Sequence, residues 1–352
     1  MKSIEKSSKQ NNKKGNKQSL NHLINRIFLV TCVCILVLSA ILGTILFRNS
    51  RILDMSNSYS VWNQLPKDQT AARNAQYGES LGSELCVAEA MENPYGSSVT
   101  DISEKALLFN LDTKEILFTQ GIYDQVYPAS LTKIMTALLV LKYGNMDDVI
   151  TITQEDLNLE EGSQMSGMAV GDTVTMDQLF HALMIYSAND AAMAIAAHIG
   201  GTVDNFVVMM NEEAKTLGMT GTNFVNPHGL HDVNHYTTAY DVYLMLNAAY
   251  KYTEFYNAMQ MNVYTLTVKR VDGSEYSKRL DSTDHYLTGD ATAPKNVTVL
   301  GGKTGTTGQA GACLALVSQN AYGQPFISVI LNAETRVILY QDMNTLLAQI
   351  NS

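Results

Sequence analysis

The stretch that decides the fold is Ser130-Leu131-Thr132-Lys133-Ile134-Met135-Thr136-Ala137-Leu138-Leu139-Val140-Leu141. It is apolar almost all the way round, the mark of a helix buried on every side. Its polar exceptions therefore carry information. Ser130 and Lys133 are three apart and share a helix face, so the lysine nitrogen can reach the serine hydroxyl. The positive end of a helix favours an oxyanion, and burial disfavours the charge of a lysine. Together they favour a nucleophilic serine beside a neutral amine, activation that needs no histidine. The string S-x-x-K is weak by itself, because Ser3-Ile4-Glu5-Lys6 matches it too. Only Lys133 falls in an apolar helix, where an unpaired charge is costly. The bland alternative is a lysine that snorkels to solvent from the helix end.

Two further elements follow in order. Ser187-Ala188-Asn189 lies between two apolar helical runs, hence in a loop joining helices, although Ser19-Leu20-Asn21 and Ser318-Gln319-Asn320 share its S-x-N form. Lys303-Thr304-Gly305 follows directly on a short strand pattern at Val297 to Leu300, with Gly301 and Gly302 permitting close backbone approach. Ser187 comes 57 residues after Ser130, and Lys303 comes 116 after Ser187. That order and those settings form the three-motif set of serine penicillin-recognising enzymes.

From about Lys105 to the C-terminus the sequence resembles the D-alanyl-D-alanine carboxypeptidases of the low-molecular-mass penicillin-binding proteins. The resemblance rests on Tyr127-Pro128-Ala129-Ser130-Leu131-Thr132-Lys133-Ile134-Met135-Thr136, Glu161-Gly162-Ser163, Ser187-Ala188-Asn189-Asp190-Ala191-Ala192, Phe224-Val225-Asn226-Pro227-His228-Gly229-Leu230 and Gly302-Lys303-Thr304-Gly305. It implies Ser130 as acylated nucleophile, Lys133 as its base, Ser187 as proton relay and Asn189 as a holder of substrate and of Lys133. Lys303 would supply positive charge and Thr304, with Gly305 and Thr306 beside it, would bind the terminal carboxylate. The N–H groups of Ser130 and Thr306 would form an oxyanion hole. Arg336 lies near the place where many relatives use an arginine for that carboxylate, although Leu339 aligns with it more directly. No metal and no cofactor is implied. The expected partners are peptidoglycan pentapeptide stems as substrate and β-lactams as covalent inhibitors, with a part in peptidoglycan biosynthesis and cell shape.

The surrounding pattern agrees on fold class. Lys105 to Asn110 and Glu115 to Gln120 read as a hairpin, and helical periodicity runs from Met176 to Gln260. Val263 to Val268, Val297 to Leu300, Gly311 to Val317 and Phe326 to Leu331 read as strands, and Ile338 to Ile350 as a closing helix. The expected fold is α/β (α+β), an antiparallel sheet flanked by helices with an inserted helical subdomain. By resemblance it is β-lactamase/transpeptidase-like.

Several matches are decoys. Gly78-Glu79-Ser80-Leu81-Gly82 fits the nucleophile-elbow string but follows a polar stretch instead of a strand. Gly302-Lys303-Thr304 resembles the end of a phosphate loop, yet Val297 stands where the earlier glycine is required. His228, His231, Asp232 and His235 could be drawn as a metal cluster, but a polar loop shaped by Asn226-Pro227-His228-Gly229 is favoured. Glu155-Asp156-Leu157-Asn158 only faintly resembles the water-activating segment of class A β-lactamases and precedes Ser187 instead of following it.

The formal charge is -10, but residues 1–51 carry nine Lys/Arg and one acid, +8, which leaves -18 on the rest. Such a body does not seek nucleic acid. Ile27 to Phe47 is a run of 21 uncharged residues, long enough to span a membrane. The basic flank before it sets the N-terminus in the cytoplasm. The expected organisation is a basic tail at 1–26, a transmembrane helix at 27–47, an extracytoplasmic linker at 48–100 and a catalytic domain at 101–352. A cleaved signal peptide is the rival, though its apolar region is usually shorter. The span would take the place of the C-terminal attachment that many relatives use. Cys86 and Cys313 fall in the exported part, where either a disulfide or two buried thiols are open. A penicillin sensor that acylates without turnover, an endopeptidase and a β-lactamase are the competing functions. A cytoplasmic side of about 26 polar residues offers no signalling domain, which favours catalysis.

Overall fold

The computed structural model describes residues 104–351. The elements are, in chain order, strands β1 (Lys105–Asn110) and β2 (Ile116–Gln120), helix α1 (Thr132–Tyr143), strands β3 (Val149–Thr151) and β4 (Thr173–Thr175), helices α2 (Met176–Ile185), α3 (Asn189–Gly200), α4 (Val203–Thr216), α5 (Ala239–Tyr250) and α6 (Thr253–Met259), strands β5 (Val263–Lys269) and β6 (Glu275–Asp281), the short helix α7 (His285–Thr288), strands β7 (Thr298–Thr307), β8 (Gly311–Gln319) and β9 (Pro325–Ala333), and helix α8 (Arg336–Ala348).

Leu107 and Phe109 on one face of β1, and Ala106 and Leu108 on the other, are all fully buried. A strand that is apolar on both faces belongs inside a covered sheet. β1 accordingly pairs antiparallel with β2 and with β9, from Lys105 opposite Leu331 to Asn110 opposite Phe326. The five-stranded sheet has the order β2-β1-β9-β8-β7, so strands from both ends of the described chain meet at its centre. One face is covered chiefly by α5 and shares its core with α1, α2 and α3. The other is covered by α8 through Leu339, Met343, Leu346 and Leu347. Every residue of α1 from Thr132 to Val140 is buried. The all-round apolar pattern predicts this.

Val263 to Lys269 does not join that sheet. It pairs with β6, from Val263 opposite Asp281 to Lys269 opposite Glu275, in a separate four-stranded sheet of order β3-β4-β5-β6. β6 reads Glu-Tyr-Ser-Lys-Arg-Leu-Asp and is largely solvent-facing, so no apolar run announces it. β7 also runs through Lys303-Thr304-Gly305 to Thr307 instead of ending before the motif. Among the described residues no single helix is long and apolar enough to cross a membrane. The span at 27–47, the linker, Ser80 and Cys86 lie outside the described residues. Cys313 is a buried thiol on β8, its pKa pushed up to about 12 by burial.

Candidate active site

Ser130 sits in a single 3-10 turn, Ala129–Leu131, that leads into α1. Thr132 Oγ1 donates to Ala129 O at 2.8 Å and holds that turn. Ala129 has a positive φ of 47°, an uncommon value for a residue with a Cβ. Strain of this kind collects at functional sites. The turn can rest against β7 only because Gly305 has no side chain: a Cβ there would stand 2.9 Å from Ser130 N.

Lys133 is fully buried on α1. Its Nζ lies 2.7 Å from Asn189 Oδ1, 2.6 Å from His228 O and 3.0 Å from Ser130 Oγ. Burial holds its pKa well below the ordinary lysine value, the charge of Lys303 lowers it further, and Asp190 opposes both. A neutral amine has two N–H bonds and one lone pair. The amide and carbonyl oxygens can only accept, so they take the two N–H bonds and leave the lone pair for the serine proton. The geometry therefore orients Lys133 as an acceptor for Ser130 O–H.

The S-x-N element enters from the loop before α3. Ser187 has a φ of 62°, and Asn189 is the first residue of α3. Asn189 N donates to Gln164 O at 2.8 Å, and Asp190 accepts from Ser166 N and from Ser166 Oγ at 2.7 Å. Gln164 Nε2 donates to Tyr186 O, and Lys278 Nζ to Met165 O at 3.0 Å. The Gly162 to Ser166 segment is thereby fixed as one wall of the site.

Ser130, Ser187, Asn189, Thr304, Gly305 and Thr306 line one cavity of about 180 Å³, with Arg336 at the exposed first turn of α8. Leu339 lines it as well. Lys133 and Lys303 stand behind the wall. Lys303 Nζ donates to Thr304 O at 3.1 Å, and burial lowers its pKa to about 7 against the opposing charge of Asp284. β7 is the outer strand of its sheet, so alternate backbone groups have no strand partner and face the cavity side.

The histidines of the suspected cluster have other partners. His235 Nδ1 accepts from Val225 N at 3.1 Å, so its Nε2 carries the proton and donates to Thr132 Oγ1 at 2.8 Å. His228 Nδ1 accepts from Leu230 N at 3.1 Å. Burial first, then nearby positive charge, lowers His228 to about 3, and burial lowers His235 to about 4. Among the described residues no three His, Cys, Asp or Glu side chains gather as metal ligands. The loop's contribution to the site is the His228 carbonyl, which the residue letters do not reveal. Tyr340, His285 and Thr283 also line the cavity and were not legible in the sequence, whereas Glu155 does not line it and Asp156 accepts from Thr153 N at 2.7 Å.

Sheet, buried helix and lysine-served serine are the arrangement that lysine-activated serine acyl transfer requires. A family model described as D-alanyl-D-alanine carboxypeptidase, peptidase family S11, matches residues 92–335, and the chain belongs to that family. It is 29% identical over 249 residues to the D-alanyl-D-alanine carboxypeptidase DacF of Bacillus subtilis, covering 68% of this chain and 59% of that protein. It is 31% identical over 237 residues to DacA of Haemophilus influenzae, covering 65% and 56%. The chain thus spans less than two thirds of the length of these relatives. The crystal structure of the Streptomyces K15 DD-transpeptidase matches with a TM-score of 0.66 at 26% identity, covering 72% of this chain and 98% of that one.

Proposed function

We propose that this chain is a serine-type D-Ala-D-Ala carboxypeptidase that removes the terminal D-alanine from peptidoglycan stem peptides through an acyl-Ser130 intermediate. The observation that carries the reading is the position of Lys133, whose Nζ lies 3.0 Å from Ser130 Oγ while Asn189 Oδ1 and the His228 carbonyl accept its N–H bonds. Ser130 Oγ attacks the carbonyl of the penultimate D-Ala and its proton passes to Lys133 Nζ. The oxyanion is received by the N–H groups of Ser130 and Thr306. The C–N bond then breaks, the leaving amine takes the Lys133 proton by way of Ser187, and D-Ala departs. Water attacks the ester, Lys133 receives its proton and passes it to Ser130 Oγ as the acyl C–O bond breaks, and Ser130 is restored. The peptide lies along the outer edge of β7, with its terminal carboxylate toward Thr304, Thr306, Lys303 and Arg336.

No carboxylate lines the cavity among the described residues, so the water that would attack a bulky penicilloyl ester has no carboxylate base there. β-Lactams therefore act as covalent inhibitors. We also infer that residues 27–47 anchor the protein in the membrane, with the catalytic domain extracytoplasmic. The deciding experiment gives the full chain in detergent a D-Ala-D-Ala-terminated stem peptide and, separately, labelled penicillin. The expected results are D-Ala released over many turnovers and a one-to-one penicillin adduct. Rapid penicillin turnover would identify a β-lactamase, and a stable adduct without D-Ala release would identify a sensor.

A further inference from the structure

Thr283 and His285 line the cavity, and between them Asp284 turns inward, 3% exposed. Asp284 is the N-cap of α7, its Oδ1 accepting from Tyr286 N at 3.0 Å. Tyr340 on α8 adds a long contact from its hydroxyl to the same oxygen at 3.5 Å, while that hydroxyl accepts from His285 N at 2.9 Å. The Tyr340 ring also stacks on His285 at 4.7 Å. The other oxygen, Oδ2, is buried and has no hydrogen-bond partner. A cap explains one oxygen, and asparagine or serine would serve as well. The second oxygen is a buried acceptor that destabilises the fold, so the carboxylate needs another explanation.

That explanation lies on β7. Thr283 Oγ1 and Thr304 Oγ1 are hydrogen-bonded at 2.5 Å, which clamps the Asp284 segment to the strand carrying Lys303. Lys303 is buried to 1% and has only the Thr304 carbonyl as hydrogen-bond acceptor. Its charged surroundings are Lys133 from α1, which repels it, and Asp284, which attracts it. Burial and the negative charge of Asp284 push the phenols of Tyr286 and Tyr340 upward, so both stay neutral. Arg336 is a second cation, exposed at the cavity mouth on α8, and His285 lies against Tyr340.

We propose that Asp284 is a positioning residue that keeps Lys303 cationic, and so gives the site its preference for acyl donors that end in a carboxylate. The proposal rests on the carboxypeptidase reading. It acts through charge: Asp284 does not line the cavity, and the Thr283–Thr304 hydrogen bond holds its segment against the strand that carries Lys303. Without that charge, Lys303 loses its proton at a lower pH and the cavity loses its inner cation.

The test compares two thioester substrates on the full chain in detergent, alike except that the leaving group of one ends in a carboxylate and that of the other in a carboxamide. Asp284→Asn keeps the cap and removes the charge. The carboxylate substrate should lose about tenfold more kcat/KM than the carboxamide, mainly through KM, the size of one charge-assisted contact. Its alkaline limb should also move to lower pH in the variant. Asp284→Glu, which restores the charge, should recover part of the ratio. An unchanged carboxylate-to-carboxamide ratio and an unmoved alkaline limb in Asp284→Asn would overturn the proposal. Failure of the wild-type chain to be acylated by either thioester would instead sink the carboxypeptidase reading itself.

Discussion

Gly305→Ala tests the close approach of β7 to the nucleophile turn. An added Cβ would meet Ser130 N at 2.9 Å, Ala129 Cβ at 3.1 Å and Pro128 O at 3.1 Å. Two of the three are backbone atoms, and Ala129 is itself held by Thr132, so no flexible side chain can yield. Ordinary contact begins near 3.4 Å, so the turn and the strand must separate by about 0.5 Å. Misplacement of a reacting group by about 1 Å can cost on the order of a hundredfold, so half of that is worth roughly tenfold. The new methyl also crowds the Ser130 N–H, and losing one oxyanion donor costs about a hundredfold or more. Acylation by labelled penicillin, followed by stopped-flow or gel, should slow between about tenfold and several hundredfold. Gly305 has no positive φ, so the backbone accepts alanine and the thermal midpoint should move little. Wild-type acylation with an unchanged midpoint would refute the geometry, and so would global unfolding.

Ser130→Ala abolishes acylation by labelled penicillin and Lys133→Ala nearly does, and the double variant is scarcely worse than either single one because the two act as a unit. Added losses in the double variant would show independent roles. The fold loses stability in acid: His228 and His235 are held neutral below their ordinary 6.5, so their contribution is full above that value and disappears as pH falls toward about 3 for His228 and about 4 for His235. Urea midpoints from pH 8 to 4 would measure it, and His235→Asn should flatten part of the fall. Asp284 has the opposite sign. Its carboxyl is raised from 3.8 to about 6, so the cost of its anion grows as pH rises from about 4 and is full above about 6, and Asp284→Asn should add about 3 kcal/mol at pH 7 and only about 0.5 kcal/mol at pH 4. A gain that is independent of pH would show that the effect comes from packing.

The sequence displays the parts of the site that side chains make within one element. Ser130 and Lys133 share a helical face, and the all-round apolar pattern after them marks α1 as buried, which it is. Long apolar runs likewise locate β1, β8 and β9, because strands covered on both faces contain little else. β3 and β4 are three residues each, too short for a periodic signal, and the solvent-facing β6 carries the polarity of a loop. That is why the second sheet goes unread. The acceptor at His228 is a main-chain carbonyl, which every residue owns and no letter marks. Tyr340 reaches the cavity from α8, and Asp284 from the turn before α7, a convergence that only the tertiary fold creates.

Two buried lysines behind one cavity would repel each other if both were charged, and the proposed reaction needs one of each kind: an amine to receive the serine proton and an ammonium to meet the carboxylate. The fold separates them by what faces each. Asp190 lies near Lys133, but both its oxygens are already engaged by Ser166 N, and its charge is further taken up by Ser166 Oγ and Ala191 N. Its pull does not offset burial, which holds the Lys133 pKa well below the ordinary lysine value. Asp284 is held by the Tyr286 N–H and a long contact from Tyr340, and its second oxygen has no donor, so its field toward Lys303 is little diluted. The charge of Lys303 lowers the Lys133 pKa further, so in the proposed reaction the cation that meets the carboxylate would help to keep the base free of its proton. In the proposed reaction binding and proton abstraction would thus be coupled through one electrostatic pair, and a change at Asp284 should be felt at Ser130 without any contact between them.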